Sequence, residues 1–152
     1  MANKTYVLDA NVFLEYIYGR PLQERSKDIV RDSILEKIEI ILPSIVLDEI
    51  AEVLCGNMND INKVDSHLRY IEKLVREEII KIVVPNTDIR MKAVEIARTG
   101  HTQSGYPEFT DSLYHSLAIM NNATFITNDK KHISKVKSFG HIQELSRYKS
   151  KS

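Results

Sequence analysis

The sequence predicts an α/β protein built as a three-layer α/β/α sandwich with a mainly parallel central sheet. Short runs of β-branched and other apolar residues alternate along the chain with longer segments whose apolar residues recur at helical spacing. Because helices separate the successive strands, we expect the strands to run parallel and the sheet to be covered on both faces. Only five Gly and four Pro interrupt the 152 residues, which is typical of a compact domain.

The first half of the chain predicts two strands and three helices. Asp9 and Asn11 follow the first apolar run, and both residue types readily cap a helix. The helical spacing breaks at 19–21, which contains Gly and Pro, and then resumes. Pro43 ends the second apolar run, and the helical pattern restarts after Ser44. The predicted strands are 6–8 and 38–42, and the predicted helices are 12–17, 22–35 and 45–54.

The second half predicts four helices and three strands, the last of them a possible edge strand. The helix over 61–75 carries its apolar residues on one stripe and is therefore amphipathic. The polar stretch 99–107, with two Gly and one Pro, is the longest irregular segment, and we expect it to contact a ligand. The predicted helices are 61–75, 89–97, 110–120 and 129–136, and the predicted strands are 79–84, 123–127 and 139–142.

Length and charge predict one domain, residues 1–145, followed by a basic C-terminal tail at 146–152. Lys plus Arg equals Asp plus Glu at 21 each, so the overall charge neither favours nor excludes a polyanionic partner. From Lys130 onward, however, seven Lys and Arg accompany one acid, a local excess of +6. This segment is either a solvated tail or a phosphate-contacting surface, and only in the second case would removing 147–152 weaken binding of a polyanion.

The sequence indicates a cytoplasmic protein that does not enter a membrane. The apolar run at the N-terminus is far shorter than the core of a signal peptide, and no stretch is long enough to span a bilayer. A single cysteine, Cys55, cannot form an internal disulfide, which suits a reducing compartment. We expect Cys55 to be buried.

Four acids are predicted to converge at one edge of the sheet. Asp9 and Asp129 follow the first and fourth strands, Glu49 lies one turn into the helix after the second strand, and Asp111 opens the helix before the fourth strand. In open parallel sheets, ligands bind outside the carboxyl ends of the strands. Clustered carboxylates require neutralisation, and Mg²⁺ or Mn²⁺ bound to oxygen ligands is suited to phosphodiester hydrolysis without a side-chain nucleophile.

Each acid also has an ordinary structural explanation. Asp9 and Asp129 could cap the helices that follow them, and for Asp9 taken alone this explanation is favoured. Glu49 beside Asp48 could belong to a solvated helix face, and Asp111 could interact only with its helix dipole. These explanations do not account for acids at two strand ends and early in two intervening helices of one fold.

In four segments, and over nearly the whole chain, the sequence resembles the PIN domain family, which includes the VapC-type toxins of toxin-antitoxin pairs. An apolar strand is followed by Asp9 and Asn11, Pro43-Ser44 precede Glu49, Asp111 opens a helix of small and apolar residues, and Thr127 lies two residues before Asp129. The resemblance implies a PIN-like fold with metal ligands at Asp9, Glu49, Asp111 and Asp129, supported by Asn11 and Thr127.

The resemblance implies a metal-dependent endoribonuclease with Mg²⁺ or Mn²⁺ as cofactor and RNA as substrate. It also implies the toxin of a toxin-antitoxin pair, with a small antitoxin protein as partner, and a homodimer formed through the helices between 57 and 97. His115 departs from the family's small or aliphatic residues; it could face the acids or only pack, and we leave it out of the catalytic set.

Two other classes of function stay open. One is a catalytically inactive RNA-binding or interaction domain on the same fold, although an intact acid set argues against it. The other is a metal-dependent phosphohydrolase of the haloacid dehalogenase kind, with Asp9 as covalent nucleophile, but Asn11 stands where that chemistry needs a second Asp. The sequence contains no phosphate-binding loop, dinucleotide fingerprint, zinc-ligand spacing or serine elbow.

Overall fold

The computed structural model describes residues 3–100 and 105–151, which form a five-stranded sheet flanked by helices. The strands lie in the order β3-β2-β1-β4-β5, and every neighbouring pair is parallel. The strands are β1 (Lys4–Leu8), β2 (Ile38–Pro43), β3 (Lys81–Val83), β4 (Thr124–Thr127) and β5 (Ile142–Glu144). The predicted three-layer α/β/α sandwich is confirmed, and the sheet is parallel throughout the described residues.

The helices follow the sequence prediction closely. In the described residues they are α1 (Ala10–Ile17), α2 (Gln23–Ile34), α3 (Ile45–Asn57), α4 (Ile61–Arg76), α5 (Thr87–Thr99), α6 (Phe109–Met120) and α7 (Lys130–Val136). Short 3-10 helices occupy Lys137–Phe139 and Leu145–Arg147. None of the helices in the part of the chain that the structure describes is long and apolar enough to cross a membrane.

Three of the connections from a helix to the next strand end in the same backbone conformation. Glu36, Glu78 and Asn122, which follow α2, α4 and α6, have positive φ angles of 59°, 60° and 51°. In each connection, the N–H of this residue and the N–H after it donate to carbonyls in the last turn of the helix. This is the Schellman pattern, in which Gly is the usual residue, and it turns the chain back toward the sheet.

Two predictions made from the sequence are wrong. The last strand is Ile142–Glu144 rather than 139–142, because Gly140 and His141 have φ angles of 64° and 55° and interrupt the extended chain before it pairs with β4. Cys55 is exposed, since the apolar face of α3 is buried through other positions, including Leu54. The stretch 99–107 lies partly outside the described residues, at 101–104, so its expected ligand contact stays a prediction.

The C-terminal segment is folded against the domain. The Tyr148 ring is 1% exposed, lies in the main core and meets the Tyr6 ring edge-on with centroids 5.7 Å apart. Its hydroxyl donates to Asp32 Oδ2 at 2.6 Å, and the same carboxylate accepts from the Lys151 amide at 2.9 Å and the Ser150 hydroxyl at 3.2 Å. The segment around Tyr148 is therefore attached to α2 through Asp32 and contributes to the stability of the domain.

Candidate active site

The order of the strands determines where a ligand can bind. The chain continues from β1 to β2, which is the neighbour of β1 on one side, whereas β4 is its neighbour on the other side. The helices that leave β1 and β4 therefore diverge, and a crevice opens outside the carboxyl ends of these two strands. Asp9 directly follows β1 and Thr127 is the last residue of β4, so both lie at this crevice.

Asp9 is held by side chains from both strand ends. Its Oδ2 atom accepts hydrogen bonds from the Thr127 hydroxyl at 2.8 Å and from Asn11 Nδ2 at 3.2 Å. The Thr127 hydroxyl in turn accepts from the Asp129 amide at 3.0 Å, and Asn11 Oδ1 accepts from the Asn128 amide at 3.2 Å. Asn11 and Thr127 thus connect Asp9 to the loop after β4.

The Asp9 carboxylate occupies the N-cap position of α1 without making a capping hydrogen bond. Burial raises the pKa of Asp9 to about 6, and the negative charge of Glu49 adds to the rise. The Thr127 hydrogen bond opposes it, as do the nearby amides of Asn11 and Ala10. Asp9 is therefore a buried acid whose charge is only partly compensated.

Glu49 reaches the same crevice from the second turn of α3. The Tyr114 hydroxyl, on α6, donates a hydrogen bond to Glu49 Oε1. Burial raises the pKa of Glu49, the Tyr114 hydrogen bond lowers it, and the charges of Asp111 and other nearby acids raise it further. Tyr114 is fully buried and stacks on Phe125 of β4 with ring centroids 5.7 Å apart, which fixes the direction of its hydroxyl.

Asp111 lies in the first turn of α6, and its side chain is partly buried. Burial raises its pKa to about 7, and the negative charges of Asp9, Glu108 and Asp129 contribute. Lys135 on α7 opposes the rise. Among the described residues, burial and neighbouring charges act on the Asp111 carboxylate, and no hydrogen bond reaches it.

Asp129 caps α7. Its Oδ1 atom accepts from the amides of Lys131 at 3.0 Å and His132 at 3.1 Å. The capping role weighed for Asp129 in the sequence is thus present, although the carboxylate also contributes to the raised pKa of Asp111. A capping carboxylate with both bonds on one oxygen keeps its second oxygen for another ligand.

The donor chemistry of these acids suits a hard divalent cation. The acids raise one another's pKa values, so protons or a cation must neutralise part of their charge. Carboxylate oxygens are the ligands that Mg²⁺ and Mn²⁺ prefer. Across residues 3–100 and 105–151, no three His, Cys, Asp or Glu side chains are positioned as a ready-made ion site. The fit is therefore one of charge and donor type.

Several residues around the acids were not singled out from the sequence. Tyr114 follows Asp111 by three positions, a spacing that places two side chains on one helix face and could have identified it. Glu108, at the N-cap of α6, raises the pKa of Asp111 and Glu49 through its charge. The buried Glu15 accepts from Asn128 Nδ2 at 2.7 Å and so ties α1 to the loop after β4.

His115 is a packing residue. It is fully buried, and its Nε2 atom lies 2.6 Å from the Gly140 carbonyl, to which the neutral ring can donate. Its ring contacts the rings of Phe125, His132 and Phe139, with centroids 5.9 to 6.2 Å apart. Burial lowers the pKa of His115, which keeps the ring neutral.

Comparison with solved structures finds the same fold in chains of VapBC and FitAcB structures. A chain of VapBC2 from Rickettsia felis, bound to a DNA fragment from its promoter, has a TM-score of 0.67 at 21% identity, with 92% of this chain and 98% of that chain covered. VapBC-1 from nontypeable Haemophilus influenzae gives 0.66 at 20% identity, covering 94% and 99%. FitAcB from Neisseria gonorrhoeae gives 0.70 at 18% identity, also covering 94% and 99%.

No curated protein sequence matches the chain. The family model for the PIN domain matches residues 6–138, a span that contains β2, β3, β4, most of β1 and all four of the acids. With this match over most of its length, and with the fold to accompany it, the chain belongs to the PIN domain family.

Proposed function

We propose that this protein is a metal-dependent endoribonuclease that hydrolyses RNA phosphodiester bonds through Asp9, Glu49, Asp111 and Asp129, with Mg²⁺ or Mn²⁺ as cofactor. The observation that carries the proposal is the meeting of acids from different elements at the crevice between β1 and β4. The pKa values of Asp9 and Asp111 rise to about 6 and about 7 there, first because burial desolvates the carboxyl groups and then because neighbouring acids repel them, so that the charged carboxylates lack compensation. A divalent cation supplies that compensation.

The residues have separate tasks in this reaction. Asn11 and Thr127 orient Asp9 by sharing its Oδ2 atom, and Tyr114 orients Glu49. Asp111, in the first turn of α6, adds a third carboxylate from a separate element. These carboxylates would hold the cation, which would supply Lewis acidity to activate a water molecule and to stabilise the leaving oxygen. The water oxygen bonds to phosphorus as the bond between phosphorus and the leaving oxygen breaks, and a proton from the water ends on that leaving oxygen.

We further propose that the protein is the toxin of a toxin-antitoxin pair and acts in the cytoplasm, with a small antitoxin protein as its partner. The support is the similarity in fold to chains of VapBC and FitAB complexes. Identities of 17–21% to these chains carry the fold, and the partner is inferred from it. A small reading frame beside this one, encoding a DNA-binding protein, is the expected companion.

The protein is also proposed to form a homodimer through the helices between residues 57 and 97. Large apolar side chains in this range are exposed, including Ile61 at 78%, Met91 at 59% and Tyr70 at 40%. Exposed apolar side chains of this size are often covered by a partner. The symmetric partner is a second copy of the chain.

The experiment is a cleavage assay on RNA with purified protein in Mg²⁺ or Mn²⁺ and in chelator. We expect cleavage only with metal, and we expect Glu49→Gln to abolish it. Asp48→Asn is the matched control, because Asp48 is an adjacent exposed acid on the same helix, and it should cleave like the parent. Cleavage that resists chelator and follows the protein through purification, or that survives Glu49→Gln, would contradict the mechanism.

A further inference from the structure

A basic groove lies at the outer edge of the sheet, between α7 and β5. Its volume is about 440 Å³. Three cationic side chains line it together with polar and apolar ones, and the lining residues are Lys130, Ile133, Ser134, Lys137, Ile142, Gln143, Glu144 and Arg147. The one acid among them, Glu144, lies 3.6 Å from the Lys130 ammonium and is therefore already paired. Lys137 and Arg147 keep their positive charges for another partner.

The groove adjoins the acids of the candidate active site. Lys130, which lines it, directly follows Asp129, and Glu144 lies in register beside Thr127 at the carboxyl ends of their strands. The same helix, α7, also presents Lys135, whose positive charge lowers the pKa of Asp111. One short helix thus faces the acids on one side and the groove on another.

A polyanionic substrate needs such a surface. The acids at the crevice repel phosphates, and the chain as a whole carries no net charge to attract them. Cations that hold the RNA must therefore be local, and the groove has them beside the acids. We propose that the groove binds the phosphate backbone of a single-stranded stretch of the RNA and leads it to the acids, an inference that rests on the proposed nuclease function.

The geometry separates this groove from the rest of the basic segment. The Lys151 amide bonds to Asp32 of α2, and its ammonium lies 5.5 Å from the centroid of the Tyr148 ring. Neither Lys149 nor Lys151 lines the groove. The local excess of positive charge therefore divides into a phosphate-binding part, which includes Lys137 and Arg147, and a part that lies against α2.

The test measures RNA binding in chelator, where the proposed reaction cannot proceed, using fluorescence anisotropy of a labelled single-stranded oligonucleotide across a salt series. The variant is Lys137→Gln/Arg147→Gln, and the matched control is Lys149→Gln/Lys151→Gln, which removes the same charge from the same segment. All four side chains are exposed, and thermal melting checks that both variants fold. A gel confirms that the oligonucleotide stays intact.

We expect the groove variant to bind about tenfold more weakly at 0.15 M salt, because each phosphate contact to a single strand contributes about 0.7 to the salt slope and two contacts are removed. The slope should fall by about 1.4, while the control binds like the parent. Unchanged binding by the groove variant overturns the inference, as does equal weakening of both variants, even if the parent cuts RNA with metal.

Two further results are decisive. If the parent neither binds nor cuts RNA under any condition, the proposed function fails together with the inference. If RNA binding is unaffected but the groove variant loses the ability to retain an acidic protein partner, the groove serves a protein and the inference is overturned while the nuclease proposal stands.

Discussion

Asp9 shows how a single carboxylate can be fixed without being neutralised. Its hydrogen bonds come from neutral groups, the Asn11 amide two positions away and the Thr127 hydroxyl 118 positions away. Such donors orient the carboxylate and lower its pKa, but burial and the charge of Glu49 outweigh them. The metal-free fold therefore carries an unfavourable charge at this residue whenever Asp9 is ionised.

Asp9→Asn should make metal-free protein more stable at high pH. The pKa of Asp9 rises from 3.8 unfolded to about 6 folded, so the folded chain binds this proton more tightly and loses stability as the pH rises from 4 toward 7. In chelator we expect the variant to equal the parent near pH 4 and to exceed it by about 1 to 3 kcal/mol at pH 8. Urea unfolding at a series of pH values measures the difference.

The pH dependence of the parent alone does not isolate Asp9, because buried histidines change the free energy of unfolding with pH in the opposite direction. The parent must therefore be compared with Asp9→Asn at each pH. Burial lowers the pKa of His132 to about 4 and also lowers that of His115, so their contribution to stability is lost as the pH falls below 6.5.

Mg²⁺ should stabilise the parent by about 1 to 3 kcal/mol at ten to a hundred times its dissociation constant, and should stabilise Asp9→Asn much less. A pH-independent difference, or equal Mg²⁺ stabilisation, would remove Asp9 from the ligand set.

Tyr114→Phe tests the positioning of Glu49. Removing the hydroxyl takes away a hydrogen bond that lowers the pKa of Glu49, so that pKa should rise further. We expect the variant to bind Mg²⁺ three- to tenfold more weakly than the parent. We also expect the cleavage activity that is lost at neutral pH to recover partly as the pH is raised. Calorimetric titration with Mg²⁺ and the pH profile of cleavage measure these effects.

Tyr148→Phe is the control for this prediction. It removes another hydroxyl bound to a carboxylate, that of Asp32, which is not one of the four acids. Burial alone would raise the pKa of Asp32, but the Tyr148, Lys151 and Ser150 hydrogen bonds and the charge of Lys37 lower it. The variant should lose stability without any change in Mg²⁺ affinity. Matching losses of Mg²⁺ affinity in both variants would show that Tyr114 has only a structural role.

The residues of the candidate active site could be predicted from the sequence only in part. Asp9, Asp129, Glu49 and Asp111 follow from the sequence because parallel strands bring their carboxyl ends to one edge. The contact between Tyr114 and Glu49 depends on how α6 is rotated against α3, which no local pattern encodes. For Asp129, the sequence was compatible with capping and with metal binding, and only the direction of its Oδ1 atom reveals the cap.

At the scale of elements, helix ends account for most of the differences from the sequence prediction. The helices were recognised because their apolar spacing is regular over several turns. Glu36 and Glu78 were not recognised as helix terminators, because a positive φ is normally signalled by Gly. The error in the position of β5 has the same origin, since His141 also has a positive φ angle, of 55°.

Glu78→Gly should stabilise the protein. A residue with a side chain at a φ of 60° bears steric strain that Gly does not, and the relief exceeds the added flexibility of the unfolded chain. We expect a gain of about 0.5 to 1 kcal/mol in the free energy of unfolding. Glu77→Gly is the control: Glu77 is also exposed but has a φ of −86°, so this change should be neutral or destabilising. Destabilisation by Glu78→Gly would contradict the strain argument.

At the scale of the whole molecule, the exposed apolar side chains between residues 57 and 97 bear on assembly. Light scattering of the purified protein should give a mass close to twice the 17.5 kDa of the chain. Met91→Lys or Ile61→Lys should shift the mass toward one chain, because burying an unpaired ammonium in an apolar interface is costly. Leu35→Lys is the control, because Leu35 is half-exposed but lies outside residues 57–97, and this change should leave the mass unchanged. A mass of one chain at high concentration would refute the dimer.

The pairing of β1 with β4 has a consequence for the synthesis of the protein. Asp9 leaves the ribosome early, but the hydroxyl that orients it belongs to Thr127, 118 positions later, and α7 follows that residue. Until this part of the chain emerges, β1 has a partner on one side only, and such long-range pairing cannot be replaced by local contacts. The proposed active site is therefore incomplete in a nascent chain until the segment that contains Thr127 and Asp129 has left the ribosome.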